Sequence, residues 1–383
     1  MRHLVRSGHE VSVVAPVARS QAADVAELEA AGFSVFAHMR AVSRIRETLS
    51  ALARRPALAV RPLGMPVICW QTDVLLTGLR EQLIAALAAG PYDVGVVHHD
   101  YAAHWRTALP PGLPSVLNLD NVMQQYAAAR ADKADGPNRA FWRTQQRLFT
   151  RHAARWLPAY DQLVFVSDEE RRLVQRTVPG AANNAAVVAN GADCAALGNL
   201  APDPANDVVL MTGTMAYEPN ADGARWLAQA IWPEVRRALP DARLILVGRD
   251  PPPDVAELAE RDGVSVPGQV PDMRPWFERA SVCVVPLRSG AGTRLKIAEA
   301  LAARRAVVST SLGAAGTSLA DGEHLRLADR PEDFAQAVIE LLNDDAGRAR
   351  LAAAGREQAL ARFDWDALAR DYERVLLSVT SGS

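Results

Sequence analysis

Residues 282–310, VCVVPLRSGAGTRLKIAEALAARRAVVST, constrain the fold more than any other stretch of this chain. An apolar run passes through a glycine loop into a helical pattern and returns to a second apolar run, which reads as the strand–loop–helix–strand unit of a parallel α/β sheet. The same order is the geometry of a phosphate site. Gly290 and Gly292, on either side of Ala291, let backbone amides approach an anion, and a helix beginning near Thr293 adds unpaired N–H groups and the positive end of its dipole. Lys296 and Glu299 stand one turn apart just inside that helix, where the first can neutralise phosphate and the second can accept hydrogen bonds from sugar or ribose hydroxyls. The chain carries 42 Lys and Arg residues, yet lysine occurs only at Lys133 and Lys296, which sets the lysine of the loop helix apart from the arginine background.

Strand-like runs alternate with helical patterns throughout. In the first half they fall at residues 11–15, 33–37, 94–97, 115–119 and 163–166, and in the second at 208–212, 243–247, 264–266, 282–286, 306–310 and 324–327. Two successive doubly wound domains follow, and 383 residues with 49% apolar content suffice for two cores. The expected division is a first domain over 1–183, a linker and crossover over 184–207, a second domain over 208–362, and a C-terminal helix over 363–383 that packs on either domain. Residues 220–238 present Ala224, Leu227, Ile231 and Val235 on one stripe and read as a single helix against the second sheet.

A net charge of −2 gives no global electrostatic footprint for nucleic acid. Cys69, Cys194 and Cys283 lie far apart without metal-ligand or CxxC spacing, which fits packing roles in a reducing cytoplasm. No apolar run has spanning length. The segment from Arg40 to Arg61 sets six arginines against the single acid Glu47, and is a candidate for peripheral contact with an anionic membrane at its cytoplasmic face. The chain opens on what reads as a helix tail, Leu4-Val5, capped by Gly8, so a preceding strand is expected to be missing.

Several segments resemble the glycosyltransferase family 4 group of GT-B transferases, in particular the polysaccharide-biosynthesis branch. They are MTGTMAYEPNADGARWL from Met211, LILVGRD from Leu244, VSVPGQVPDMRPWFERA from Val264, and the glycine-loop stretch itself. In the first half YDVGVVHHD, VSDEERRLV and VVANGAD match more loosely, and the family's first strand with its glycine loop has no counterpart. Many relatives place a glutamate where Ala291 stands here; the basic pair Arg294 and Lys296 takes over the diphosphate in this reading.

The resemblance implies a GT-B fold, two Rossmann-like α/β domains with a cleft between them, and a retaining glycosyltransferase that moves a sugar from a nucleotide-diphosphate donor to a glycan, lipid-linked or small-molecule acceptor. Donor contacts fall on Gly213, Thr214, Gly248, Arg249, Gln269, Val270, the loop from Gly290 through Ala291 and Gly292 to Thr293, and Glu299. His99, Arg294 and Lys296 act on the reacting groups, while Asp100, Asp120 and Asn121 face the acceptor. No metal or other cofactor is demanded, because fixed cations can neutralise the leaving phosphate. A nucleotide-sugar 2-epimerase on the same plan and a catalytically silent nucleotide-sugar-binding protein are the alternatives. A dinucleotide-dependent oxidoreductase is disfavoured, since no GxGxxG follows a first strand.

Overall fold

In the computed structural model the apolar runs become parallel strands at the ends of helical crossovers, and the description covers residues 1–18, 21–39, 65–69, 78–120, 122–181, 184–200, 206–289 and 295–381. Two compact units result: Met1–Val188 with Ala369–Ser383, and Ala189–Leu368.

The first unit holds two parallel sheets. Strand β1 (Ser12–Val17) pairs with β2 (Ser34–Met39), Ser12 opposite Ser34. Strands β3 (Gly95–His98), β4 (Ser115–Leu119), β5 (Gln162–Phe165) and β6 (Ala185–Val187) form the second sheet in that order. The helices are α1 (Arg2–Arg6), α2 (Ala22–Ala30), α3 (Leu79–Ala89), α4 (Met123–Lys133), α5 (Gly136–Trp156) and α6 (Asp168–Thr177). Leu117, Leu119, Leu163 and Phe165 close the core with Ala153, Leu157 and Val174, and buried Tyr160 donates its hydroxyl hydrogen to the Ala103 carbonyl at 2.8 Å.

Strand β6 corrects the sequence reading, which placed residues 184–207 in a linker. Ala185, Ala186 and Val187 are too few and too small to stand out among the surrounding Asn, Gly and Pro, yet they continue the ladder with Leu163 opposite Ala185. Strand geometry here is set by the neighbouring strand's exposed backbone edge and not by local composition.

In the second unit β7 (Val208–Thr212), β8 (Arg243–Val247), β9 (Val264–Gly268), β10 (Val282–Val285), β11 (Ala306–Ser309) and β12 (Arg326–Leu327) make one parallel sheet in the order β12-β11-β10-β7-β8-β9. This is the doubly wound order whose direction reverses between β7 and β10, the switch point at which such sheets bind ligands. Both faces are covered, so the strands read as continuous apolar runs. Val209, Met211, Val282 and Val284 point into one core, with Trp226, Leu227, Phe334 and Val338; Leu210, Cys283 and Val285 point into the other, with Phe277, Ile297 and Leu301.

Its helices are α7 (Cys194–Gly198), α8 (Glu218–Trp226), α9 (Trp232–Ala238), α10 (Pro253–Ala256), α11 (Arg274–Arg279), α12 (Leu295–Ala302), α13 (Pro331–Asn343) and α14 (Asp345–Arg362). The expected single helix over 220–238 is interrupted by a π turn, Leu227–Ile231. Pro233 follows at the start of α9; without an N–H it cannot bond to the carbonyl four residues earlier, and a wider turn absorbs the mismatch. Leu227, Ile231 and Val235 still face the core.

The last helix, α15 (Trp365–Thr380), passes into the first unit at Ala369. There Tyr372 accepts from the Asn118 amide at 2.9 Å, and Glu373 pairs with His9 at 2.6 Å and His3 at 3.3 Å. All three cysteines are buried thiols outside any disulfide.

One close approach controls the second sheet's carboxyl edge. A Cβ built on Gly248 would lie 1.6 Å from the Gly213 carbonyl oxygen, so at this point the turns after β7 and β8 meet backbone to backbone. Gly248→Ala is expected to destabilise the protein by about 1–3 kcal/mol, as overpacking does, and to lower its melting temperature; an unchanged melting curve contradicts this contact.

Candidate functional site

The carboxyl ends of β7, β8 and β9 open into a cavity of about 500 Å³. Thr212, Gly213 and Thr214 line it from β7, Val247, Gly248 and Arg249 from β8, and Gln269 and Val270 from β9. Leu287, beyond β10, and Met273 add apolar wall; Tyr217 and Asn220 enter from α8, and Leu295, Lys296 and Glu299 from the start of α12.

Residues far apart in sequence meet here because each sits where a strand gives way to a turn. Of the residues marked in the sequence, Gly213, Thr214, Gly248, Arg249, Gln269, Val270, Lys296 and Glu299 all line this one cavity. Gly290, Ala291, Gly292, Thr293 and Arg294 lie outside the described residues.

Asn220 organises the polar wall. Its side chain is 6% exposed; Nδ2 donates to the Thr214 carbonyl at 2.9 Å and Oδ1 accepts from Lys296 Nζ at 2.5 Å. The turn after β7 and the ammonium group are thus held by one amide, with no carboxylate between them. Arg249 Nε donates to Thr214 Oγ1 at 3.3 Å. Burial raises the Glu299 carboxyl above its ordinary range, and the Lys296 charge opposes that rise. Asn220 was not among the residues marked for the site; the only local signal was its place beside Pro219 at the start of a helix after a glycine turn.

The first unit gathers a different set at the carboxyl ends of β3, β4 and β5. His99 has φ 72°, uncommon for a side-chain-bearing residue, and its amide donates to the Asn118 carbonyl at 2.8 Å. The ring stacks on Tyr101 with centroids 4.9 Å apart, and Nδ1 lies 3.6 Å from Asp120 Oδ2. His99 and Asp120 are both partly open to solvent, so the structure brings these two expected residues together. Asp100 turns inward instead. It is 6% exposed, its Oδ2 accepts from the Met123 amide at 2.8 Å, and burial pushes its carboxyl up to about 7. Asn121 lies outside the described residues, as does the whole arginine-rich segment from Arg40 to Arg61.

Sequence reading missed Glu170, in the first turn of α6. Burial pushes its carboxyl up to about 8, and the charges of Asp100, Asp120 and Glu169 push the same way. Nothing in the local sequence, DEERR, distinguishes it from a solvated helix acid. His98 shifts downward, chiefly by burial, with Asp120 pulling the other way. Among the described residues no group of three or more His, Cys, Asp or Glu side chains is placed to hold a metal ion, and no helix is long and apolar enough to cross a membrane.

The parallel sheets and the switch-point cavity define the class first: the architecture is GT-B. The fold matches that of a glycosyltransferase from Rickettsia africae ESF-5 with a TM-score of 0.66 at 14% identity, covering 100% of this chain and 93% of that one. Anabaena HepE in complex with UDP and glucose gives 0.63 at 16% identity, covering 92% and 89%. Residues 206–344, within the second unit, match the Glycosyl transferases group 1 family model, in line with the resemblance to family 4. Among curated proteins, the phosphatidyl-myo-inositol mannosyltransferase of Mycobacterium leprae is 34% identical over 177 residues, 44% of this chain and 46% of the relative. The chain spans about half the length of the curated relatives it matches.

Glu170 generates a pH prediction. An acid whose folded pKa lies above its unfolded value, near 4.5, binds more protons in the native state, so stability falls as pH rises from about 4.5 through 8. Glu170→Gln, which stays neutral, is expected to raise the melting temperature at pH 8 by about 2–4 °C or more and to change it little at pH 5. Equal shifts at both pH values in thermal melts contradict the assignment.

Proposed function

We propose that this protein is a retaining glycosyltransferase that moves a sugar from a nucleotide-diphosphate donor, held in the cavity of the second unit, to a glycan, lipid-linked or small-molecule acceptor received by the first. The observation that carries the reading is Lys296, fixed by Asn220 at the mouth of the turn after β7 with Glu299 one helical turn further in. Breaking a glycosyl bond to diphosphate leaves negative charge on the departing phosphate, and an ammonium held in place before the reaction stabilises that charge without reorganising. Amides of the loop from Gly290 to Thr293, with Arg294, join Lys296 in this role.

Glu299 accepts hydrogen bonds from the ribose, and Arg249, Gln269 and Val270 frame the base. His99, oriented by Asp120, hydrogen-bonds a hydroxyl of the reacting sugar. No divalent metal is required, since fixed cations neutralise the diphosphate. The relatives' names support hexosyl transfer: the mycobacterial proteins are mannosyltransferases, and the Anabaena structure holds UDP and glucose. Buried thiols outside any disulfide fit a cytoplasmic setting.

Thermal-shift screening against UDP- and GDP-sugars, followed by transfer assays with the stabilising donor, tests the reading. Without acceptor the donor sugar should remain unchanged, which excludes epimerisation. Losing a charge-assisted hydrogen bond costs roughly 1.5–3 kcal/mol, so Glu299→Ala should weaken donor use by about ten- to a hundredfold. Wild-type kinetics in that variant, or no nucleotide-dependent stabilisation of the native protein, refutes the proposal.

A further inference from the structure

Helix α5 carries Arg139, Arg143, Arg147, Arg151 and Arg155 at an unbroken four-residue spacing, and all five are exposed. It contains no Asp or Glu, alone in this among the described α-helices of eight residues or more. Successive like charges four apart repel along a helix, and cations near its N-terminus oppose its dipole, so local helix stability does not account for the pattern. The chain's preference for arginine does not account for it either, because the long helices α14 and α15 intersperse their arginines with Asp and Glu.

The opposite face of α5 is already used: Gln145, Phe149, His152 and Ala153 are buried in the first unit. The two outer arginines are engaged. Arg139 pairs with Asp135 at 3.2 Å, and the Arg155 guanidinium lies 5.0 Å from the Trp156 ring. Arg143, Arg147 and Arg151 make no ion pair or hydrogen bond among the described residues. At about 100° per residue these three spread over roughly 80° of the helix circumference, a width that a flat surface can touch at once. A soluble polyanion would wrap the whole spiral, outer arginines included; a plane meets the middle three.

We infer that this face docks on an anionic phospholipid bilayer, lying flat on the headgroups without inserting. The contact is electrostatic, because the outward face carries small and polar residues, such as Ala140, Thr144 and Ala154, between its arginines. It is independent of the sugar-transfer reading and of the basic segment from Arg40 to Arg61.

Co-sedimentation of the full chain with phosphatidylcholine vesicles, against vesicles in which about a third of the lipid is phosphatidylglycerol, tests it. The native protein should bind only the anionic vesicles and should be released by salt. At the usual worth of a basic residue near such a surface, each arginine contributes about fivefold, so Arg143→Gln/Arg147→Gln/Arg151→Gln should weaken binding by about a hundredfold. The matching triple lysine variant should retain most of the binding, and Arg139→Gln/Arg155→Gln should lose much less than the triple glutamine variant. Unchanged melting curves establish that the variants fold. Three results overturn the inference: equal binding to both vesicle types, undiminished binding by the triple glutamine variant, or retention on a sulfated polysaccharide column without vesicle binding.

Discussion

The cavity of the second unit depends on one buried amide. Asn220 donates to a backbone carbonyl and accepts from an ammonium group, a pairing that requires both a donor and an acceptor on one side chain. An aspartate in its place could not donate to the Thr214 carbonyl and would neutralise Lys296; an alanine would take one hydrogen bond from the carbonyl and one from the ammonium group. The amide keeps the lysine positioned while leaving its charge uncompensated by this neighbour. Helix α8 delivers that amide because Pro219 is accommodated in its first turn, where a missing N–H costs nothing, and Asn220 follows on the side that faces the β7 turn.

The first unit follows a different electrostatic logic. Where the second places a cation beside a polar amide, the carboxyl edge of β3, β4 and β5 collects Asp100, Asp120 and Glu170, two of them buried. Desolvation and then Coulomb repulsion from Asp100 and Asp120 act in the same direction on Glu170, which is why it stands so far from its ordinary range. With Asp100 pushed up to about 7 and Glu170 to about 8, the charge of this edge varies across the neutral pH range.

Much of the fold was legible because buried parallel strands must be apolar on both faces. The runs at 208–212, 243–247 and 282–286 stand within a residue of β7, β8 and β10, and the strand-end residues after them converge on one cavity. The failures have equally physical causes. Strand β6 owes its conformation to a neighbouring backbone edge, which leaves no mark on Ala185-Ala186-Val187. The π turn in the α8–α9 region follows from a missing N–H at Pro233, and the apolar stripe continues through it without interruption. Asn220 and Glu170 matter because of what tertiary packing puts around them. An Asn after Pro and a Glu in an acidic helix start look ordinary until burial is known.

The backbone contact between Gly213 and Gly248 gives the cavity a floor that contains no side chain. Substitution there strains the sheet before it reshapes the ligand's surroundings, so the floor is closed to gradual adaptation. Divergence in ligand preference must then be written on the rim, through Tyr217, Gln269, Val270, Met273 and Leu287, whose side chains can change size and polarity without pushing β7 from β8. Descendants of this scaffold are expected to differ at those five positions while keeping the two glycines.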